Sequence, residues 1–385
     1  MRLLATLLLI APAAFAADYF PPAGEWQRRT PQQAGMSAAR LDEAIAFAKA
    51  NESKAPRDLE RAHYASPFGR EPFGDPAGPF GERGDLTGIV VRNGYIVAEW
   101  GEPNRVDQTY SVAKSFLSST VGLAFDRKLI RTVNDRVADA MAPLTMVEDR
   151  GRTRVVDLFP TPHAKSITWD HLLRQTSDWQ GTLWGKPDWA DRPAPDLEVE
   201  RARARLAPGS AYEYNDTRVN LLALAALNVW RRPLPQVLRE HVMDPIGASA
   251  TWRWHGYDTS WVLLDGTAVQ SVSGGSHWGG GMFINAYDQA RFGLLTLHRG
   301  RWREKQIISE EWIRMSLTPT PVQKNYGFMN YFLSPGGSFT HLGAGTNAIH
   351  VDPAADLVVV VRWIERQALQ EFISKVIAAV ETGNR

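Results

Sequence analysis

Ser111 and Lys114 have the residue types and spacing that nucleophilic catalysis requires. They lie three positions apart in TYSVAKSFLSST (109–120), a segment whose other residues are largely apolar and suit a buried helix. Residues three apart on a helix share a face, with Cβ atoms about 5–6 Å apart. Burial lowers the pKa of a lysine, and a neutral amine can accept the proton of a serine hydroxyl. The pair therefore predicts a serine nucleophile with a lysine base.

The predicted start of this helix favours the same chemistry. Residues 103–108 are typical of a loop, which places Ser111 at the helix N-terminus. Backbone N–H groups there lack helical partners and lie at the positive end of the helix dipole, so they can stabilise an oxyanion. An S-x-x-K pair also arises by chance, and the interpretation depends on further motifs.

Two such motifs follow in order. PGSAYEYNDTRVNLLALAAL (208–227) places Tyr214 just before a predicted helix, and HLGAGTNAIHVDP (341–353) begins on a predicted strand with His341. The alternative interpretation is an ordinary buried tyrosine and a strand histidine.

The elements that must position these motifs predict an α+β fold. A helix at 37–50 precedes a hairpin at 87–101, whose turn is Asn93-Gly94. We expect residues 17–130 and 281–385 to form a discontinuous α/β domain, an antiparallel sheet flanked by terminal helices, with 131–280 inserted as a mostly helical subdomain. Residues 51–84 are expected to be irregular, and the late strands are expected at 326–333, 338–341, 346–351 and 357–364.

Composition narrows the functional classes. The 385 residues include 43 Lys and Arg against 42 Asp and Glu, with no basic block, so a nucleic-acid partner is not expected. Cysteine is absent, which excludes disulfides and thiolate chemistry. The nine histidines show no H-x-H or H-x-x-x-H spacing, and neither a metal site nor a cofactor is predicted. The oligomeric state is not indicated.

The first residues, MRLLATLLLIAPAAFAAD, are typical of a secretory signal. Arg2 is followed by an apolar run that is too short to span a membrane, and Ala14-Phe15-Ala16 has the form of a cleavage site. We expect residues 1–16 to be removed and the mature protein, without a membrane span, to be periplasmic or secreted. The alternative is an uncleaved anchor.

Together these motifs resemble those of the penicillin-recognising serine hydrolases. Ser111-Val-Ala-Lys114, Tyr214-Asn-Asp216 and His341-Leu-Gly343 look like that superfamily's S-x-x-K, Y-x-N and K/H-x-G motifs. Segments 166–179 and 279–293 are also similar to the family pattern. The superfamily includes class C β-lactamases, DD-peptidases, family VIII esterases and 6-aminohexanoate-dimer hydrolases, and the resemblance implies a β-lactamase/transpeptidase-like fold.

The resemblance also implies roles for individual residues. Ser111 would be the nucleophile, Lys114 its base, and Tyr214 the relay that protonates the leaving group. The backbone N–H groups of Ser111 and Ala344 would form the oxyanion hole. The expected substrate-binding residues are Asn215, Asp216, His341 and Gly343. Trp184, in a tryptophan-rich loop at 178–193, is also expected to contact an apolar acyl chain if that loop approaches the cleft, and ordinary packing of the loop is the alternative.

Two departures from the family pattern bear on the substrate. Asp216 stands where the family usually has asparagine, and an ionised carboxylate cannot donate a hydrogen bond. It would instead raise the pKa of Lys114, unless Asn215 supplies the amide and Asp216 caps the next helix. His341 stands where β-lactamases usually carry lysine. Both departures weaken a β-lactamase interpretation.

The first functional hypothesis is therefore a serine hydrolase of a small ester, amide or peptide, acting through an acyl-enzyme. The second is a β-lactamase or DD-peptidase of the same fold. The third is a non-catalytic protein that binds a peptide or acyl ligand, although a binder has no need of the complete trio of Ser111, Lys114 and Tyr214.

The sequence makes one direct prediction about the base. Lys114→Arg keeps the positive charge, but arginine does not lose its proton in proteins. We expect it to be nearly as inactive as Lys114→Ala when kcat/KM is measured. An arginine variant that keeps most of the rate would show that Lys114 acts only through its charge.

Overall fold

The computed structural model describes residues 18–148, 151–334 and 336–381. The predicted signal at 1–16 lies outside these ranges. Within them, no helix combines the length and hydropathy needed to cross a membrane.

Groups of strands and groups of helices follow one another along the chain. The strands are β1 (Thr87–Arg92), β2 (Tyr95–Trp100), β3 (Asp107–Gln108), β4 (Leu144–Val147), β5 (Thr153–Val156), β6 (Thr182–Leu183), β7 (Lys186–Pro187), β8 (Arg253–Leu264), β9 (Thr267–Val272), β10 (Gly281–Ile284), β11 (Arg301–Trp302), β12 (Lys305–Gln306), β13 (Phe339–Gly343), β14 (Asn347–Asp352) and β15 (Leu357–Arg362). The α-helices are α1 (Ala38–Ala50), α2 (Leu59–Ala65), α3 (Ala113–Asp126), α4 (Pro162–Lys165), α5 (Trp169–Leu173), α6 (Leu197–Ala202), α7 (Asp216–Trp230), α8 (Leu234–Leu238), α9 (Ala286–Leu297), α10 (Glu310–Ser316) and α11 (Leu369–Ala378).

The larger core is built on an antiparallel five-stranded sheet in the order β13-β14-β15-β1-β2. Asn93 and Gly94 join β1 to β2 with positive φ angles of 51° and 80°, as the hairpin prediction required. Because β1 pairs directly with β15, the two ends of the chain complete one sheet, as predicted. The predicted strand at 326–333 was wrong, since that segment forms only isolated bridges at Tyr326 and Tyr331.

Both faces of this sheet are covered, which explains the continuous apolar run of β15. Val359 and Val361 pack in the cluster that contains the buried stripe of α11, beside α1. Val358 and Val360 point to the opposite face and pack in the main core, which includes Phe292 of α9. Side chains alternate along a strand, so a strand buried on both faces is apolar throughout.

A second antiparallel sheet extends the fold, in the order β3-β10-β8-β4-β5 with β9 also paired to β8. Segment 131–280 therefore contains more strand than predicted. The long strand β8 has polar residues and an irregularity after Gly256, which obscure its alternation. Helix α2, capped by the Asp58 side chain, was also missed within the segment expected to be irregular. The fold class is nevertheless the predicted α+β arrangement of antiparallel sheet and terminal helices.

Asp107, on β3, joins the two sheets just before the Ser111 segment. Its carboxylate accepts hydrogen bonds from Arg362 Nη2 at 2.9 Å and Trp363 Nε1 at 2.7 Å, at the end of β15. The same carboxylate also accepts hydrogen bonds from the Gly84 N–H at 3.0 Å and from Arg105 Nε at 2.9 Å. Asp107 and Arg362 are both buried. Loss of this carboxylate would leave a buried guanidinium without its counter-ion.

We expect Asp107→Ala to lower the free energy of unfolding by about 3–5 kcal/mol, the usual cost of leaving one member of a buried ion pair alone. Denaturant titration measures the change. Asp139→Ala is a matched control because Asp139 pairs with Arg136 on the surface. It should cost less than about 1 kcal/mol. Equal effects for the two variants would contradict a structural role for Asp107.

Candidate active site

Ser111 and Lys114 meet as the spacing predicted. Ser111 lies in a short 3-10 turn, Tyr110–Val112, that leads directly into α3. Lys114 Nζ is 3.0 Å from Ser111 Oγ, and the hydroxyl also donates to the Gly275 carbonyl at 3.3 Å. Lys114 is only 1% exposed. The serine hydroxyl is thus held between a buried amine and a backbone acceptor.

The backbone around Ser111 is tightly constrained. Tyr110 has a φ of 49°, which is strained for an aromatic residue and of the kind that concentrates at functional sites. Gly343, at the end of β13, packs directly against this turn: a Cβ on Gly343 would lie 2.1 Å from the Thr109 carbonyl and 3.0 Å from the Ser111 nitrogen. Only glycine allows this approach.

This close packing brings together the chain segments of the predicted oxyanion hole. Ser111, Gly343 and Ala344 all line one cleft of about 510 Å³. The assignment of the Ser111 and Ala344 N–H groups as oxyanion donors stays a prediction, and their location at one cleft wall is consistent with it.

Lys114 forms a buried ion pair with Asp216, the first residue of α7. Lys114 Nζ is 2.5 Å from Asp216 Oδ1, and Asp216 is fully buried. Burial lowers the pKa of Lys114, while the charge and hydrogen bond of Asp216 act in the opposite direction. Burial alone would raise the pKa of Asp216, but Lys114 and Arg192 bring it down to about 2. Asp216 thus opposes the effect of burial on the pKa of Lys114.

Gly275 covers this ion pair on the side of Ser111. A Cβ at Gly275 would lie 2.1 Å from Lys114 Nζ and 2.3 Å from Asp216 Oδ2. Any side chain there would displace the pair. Asp216, expected to bind substrate, does not line the cleft and contacts Lys114 instead.

Tyr214 lies beside the same amine. Lys114 Nζ is 4.6 Å from the centre of the Tyr214 ring, and Tyr214 lines the cleft together with Ser111. Burial raises the pKa of Tyr214 well above its ordinary value. The phenol therefore stays protonated and is able to donate to a departing group.

His341, expected to bind substrate, does not line the cleft. Its ring nitrogens contact Asn330 Oδ1 at 2.7 Å and Thr296 Oγ1 at 3.3 Å, inside the core. Burial lowers the pKa of His341 to about 3, which keeps it neutral. Leu342, its neighbour on β13, lines the cleft instead, because successive side chains of a strand point to opposite faces.

Asn215 and Trp184 also lie away from the cleft lining. The Asn215 side chain accepts a hydrogen bond from the Arg218 N–H as the N-cap of α7, and its amide donates to the Asp188 carbonyl at 2.8 Å. Capping explains its residue type. Trp184 is buried in the main core. Neither residue supports the expected substrate contact.

Sequence reasoning missed a polar cluster behind the ion pair. Asp191 accepts hydrogen bonds from the Asp216 N–H and from Arg192. His277 lies between Asp191 and Glu71, with its Nε2 2.6 Å from Glu71 and its Nδ1 3.5 Å from Asp191. No motif spacing links these residues, so the sequence offered no signal for the cluster.

Glu71, Asp191 and His277 are close enough to be considered as metal ligands. The two carboxylates, however, contact different nitrogens of one imidazole ring. Only the Nε2 contact with Glu71 is a hydrogen bond, and Nδ1 has no hydrogen-bond partner among the described residues. We assign no metal ion to the cluster.

Comparisons with known proteins agree with this geometry. The Beta-lactamase family model matches residues 79–369. A comparison with curated protein sequences gave no match.

Solved structures show the same fold. A Bacillus anthracis protein provisionally named 6-aminohexanoate-dimer hydrolase is similar at 15% identity, covering 94% of this chain and 88% of its own, with a TM-score of 0.58. A family VIII carboxylesterase matches at 15% identity, over 90% and 99%, with a TM-score of 0.55. EstCE1, described as a hydrolase with promiscuous acyltransferase activity, matches at 14% identity, over 89% and 99%, with a TM-score of 0.55.

We predict that Asp216→Asn moves the ascending limb of the kcat/KM pH profile to lower pH. The carboxylate raises the pKa of Lys114, so its removal lets the amine become neutral at a lower pH. Stopped assays across a pH series measure the shift. Asn215→Ala is the neighbouring control: it should cost about 1 kcal/mol of stability through the lost cap. If the ascending limb of the pH profile shifts in Asn215→Ala and not in Asp216→Asn, Asp216 is not the residue that raises the pKa of Lys114.

Proposed function

Because the chain belongs to the Beta-lactamase family, we propose that it is a serine hydrolase that cleaves an ester or small amide bond through an acyl-enzyme on Ser111. The observation that carries this proposal is the 3.0 Å contact between Ser111 Oγ and the buried Lys114 Nζ, at the wall of a cleft that Tyr214 also lines. The similarity to a family VIII carboxylesterase supports the same class of reaction.

In the proposed acylation step, neutral Lys114 takes the proton of Ser111 as Oγ attacks the substrate carbonyl carbon. The backbone N–H groups of Ser111 and Ala344 stabilise the oxyanion. When the tetrahedral intermediate collapses, the bond to the leaving group breaks, and a proton passes from Lys114 through Tyr214 to that group. Water then attacks the acyl-enzyme by the same route in reverse and releases the acid.

The residues around the base favour simple esters and amides over β-lactams. The ionised side chain of Asp216 carries no hydrogen-bond donor, and it is turned toward Lys114. His341, in the position where β-lactamases usually carry lysine, is neutral and points into the core. The cleft walls are mainly apolar, with Leu59, Phe68 and Leu342 among them. A substrate recognised by its acyl chain fits this lining.

The test compares p-nitrophenyl esters of short acids with a chromogenic cephalosporin and D-alanyl peptides. We expect kcat/KM for the esters to exceed that for the cephalosporin by about 100-fold or more, since Asp216 and His341 replace the asparagine and lysine with which β-lactamases usually bind a β-lactam. Comparable values would instead support a β-lactamase.

The same panel includes Ser111→Ala and labelling with a fluorophosphonate. The probe should add to the peptide that contains Ser111, and Ser111→Ala should lose both the adduct and turnover while its thermal unfolding is unchanged. Turnover that persists in Ser111→Ala would refute the proposed mechanism.

A further inference from the structure

One wall of the cleft contains the guanidinium of Arg192, and some of its N–H donors have no hydrogen-bond partner among the described residues. Arg192 lines the same cavity as Ser111 and Tyr214, and 29% of its side chain is exposed. Its Nη1 bonds to Asp191 and lies 4.0 Å from Asp216 Oδ1. Its Nε and Nη2 have no hydrogen-bond partner in the part of the chain that the structure describes. Because a guanidinium carries five N–H donors, most of those of Arg192 are available to a ligand.

The guanidinium is held in place by its surroundings. It stacks at 5.1 Å over the Phe68 ring and at 4.9 Å over the Tyr214 ring. The Arg192 backbone has a φ of 54°, in the left-handed region that costs energy for a residue with a side chain. Asp191, its counter-ion, is buried. A donor fixed in this way binds a ligand without a large loss of side-chain entropy.

Arg192 also lies close to the nucleophile. Three successive contacts, of 4.0, 2.5 and 3.0 Å, lead from Arg192 Nη1 through Asp216 and Lys114 to Ser111 Oγ. A short acyl chain attached to Ser111 spans such a distance. Among the described residues lining the cleft there is no Asp or Glu, so no cleft-lining carboxylate competes for the free donors.

We propose that Arg192 binds an sp² oxygen in the acyl half of the substrate, as a carboxylate or an amide carbonyl. The inference rests on the proposed function, because it assumes that Ser111 is acylated. It narrows the substrate to acyl groups that end in such an acceptor, since an arginine forms planar, paired hydrogen bonds with this group. The short distance from Arg192 to Ser111 limits the acyl group to about five to seven carbons.

The experiment uses p-nitrophenyl esters in three shape-matched forms. One ends in a carboxylate, one in a carboxamide and one in an isopropyl group, and each form is made for glutaric, adipic and pimelic chain lengths. Spontaneous hydrolysis is subtracted. The readout is the ratio of kcat/KM for the acceptor-bearing ester to that for its isopropyl counterpart, which cancels changes in the chemistry that the esters share.

We expect the wild type to favour an acceptor-bearing ester by about tenfold or more at one of these lengths, as for a hydrogen bond to a charged group. A preference for the carboxylate alone would identify an anionic substrate. Equal preference for carboxylate and carboxamide would identify an amide carbonyl as sufficient.

Two variants test Arg192. Arg192→Lys keeps the counter-charge for Asp191, and the double variant Arg192→Gln/Asp216→Asn removes one positive and one negative charge together, so the buried cluster stays balanced. Both should bring the ratio to about threefold or less, because the planar fork is absent. Arg366→Gln is the matched control, since Arg366 also lines the cleft and forms no ion pair among the described residues. It should keep the wild-type ratio.

A wild-type ratio near one at every length would overturn the proposal, as would a ratio that survives both Arg192 variants or that falls only in Arg366→Gln. Fluorophosphonate labelling of Ser111 and unfolding curves accompany each variant. If no ester is turned over and Ser111 is not labelled, the proposed function itself fails, and this result is distinct from a loss of preference.

Discussion

The buried ion pair between Lys114 and Asp216 is the constraint on which the rest of the site depends. Two charges removed from water are tolerated only when each is compensated at close range. The pair therefore joins α3 to α7 and fixes the separation of the segments that carry Ser111 and Tyr214. A side chain at position 275 would displace the ion pair, which explains the glycine there. The polar cluster behind the ion pair provides further charges that compensate those of Lys114 and Asp216.

That cluster balances the charges of Lys114 and Asp216. Arg192 and Asp191 add one positive and one negative group next to Lys114 and Asp216, so the four charges cancel when Lys114 is protonated. Burial raises the pKa of Asp191 to about 6, although Arg192 lowers it. In the proposed mechanism, the proton taken from Ser111 would thus enter an environment that accommodates a positively charged Lys114, and this would favour the transfer.

The sequence predicted the local elements well and the long-range contacts less well. The hairpin at Asn93-Gly94 and the Ser111–Lys114 pair follow from signals within a few residues, and both formed as expected. The side-chain direction of His341 could not be predicted, because every residue of β13 is buried and no polar alternation marks its faces. Arg192 was missed for a different reason, since its role depends on contacts with residues distant in sequence.

The residues that make these contacts are far apart in sequence, and this determines when the site is completed during folding. Lys114 and Asp216 are 102 positions apart, and Ser111 and Gly275 are 164 apart. Contacts that close such long loops carry a large entropic cost and form late in folding. A chain that is still being synthesised, or one with only its first half folded, holds the serine and lysine without the groups that complete their surroundings. The arrangement on which the proposed hydrolysis depends is thus a property of the finished molecule, and a partly folded chain does not yet contain it.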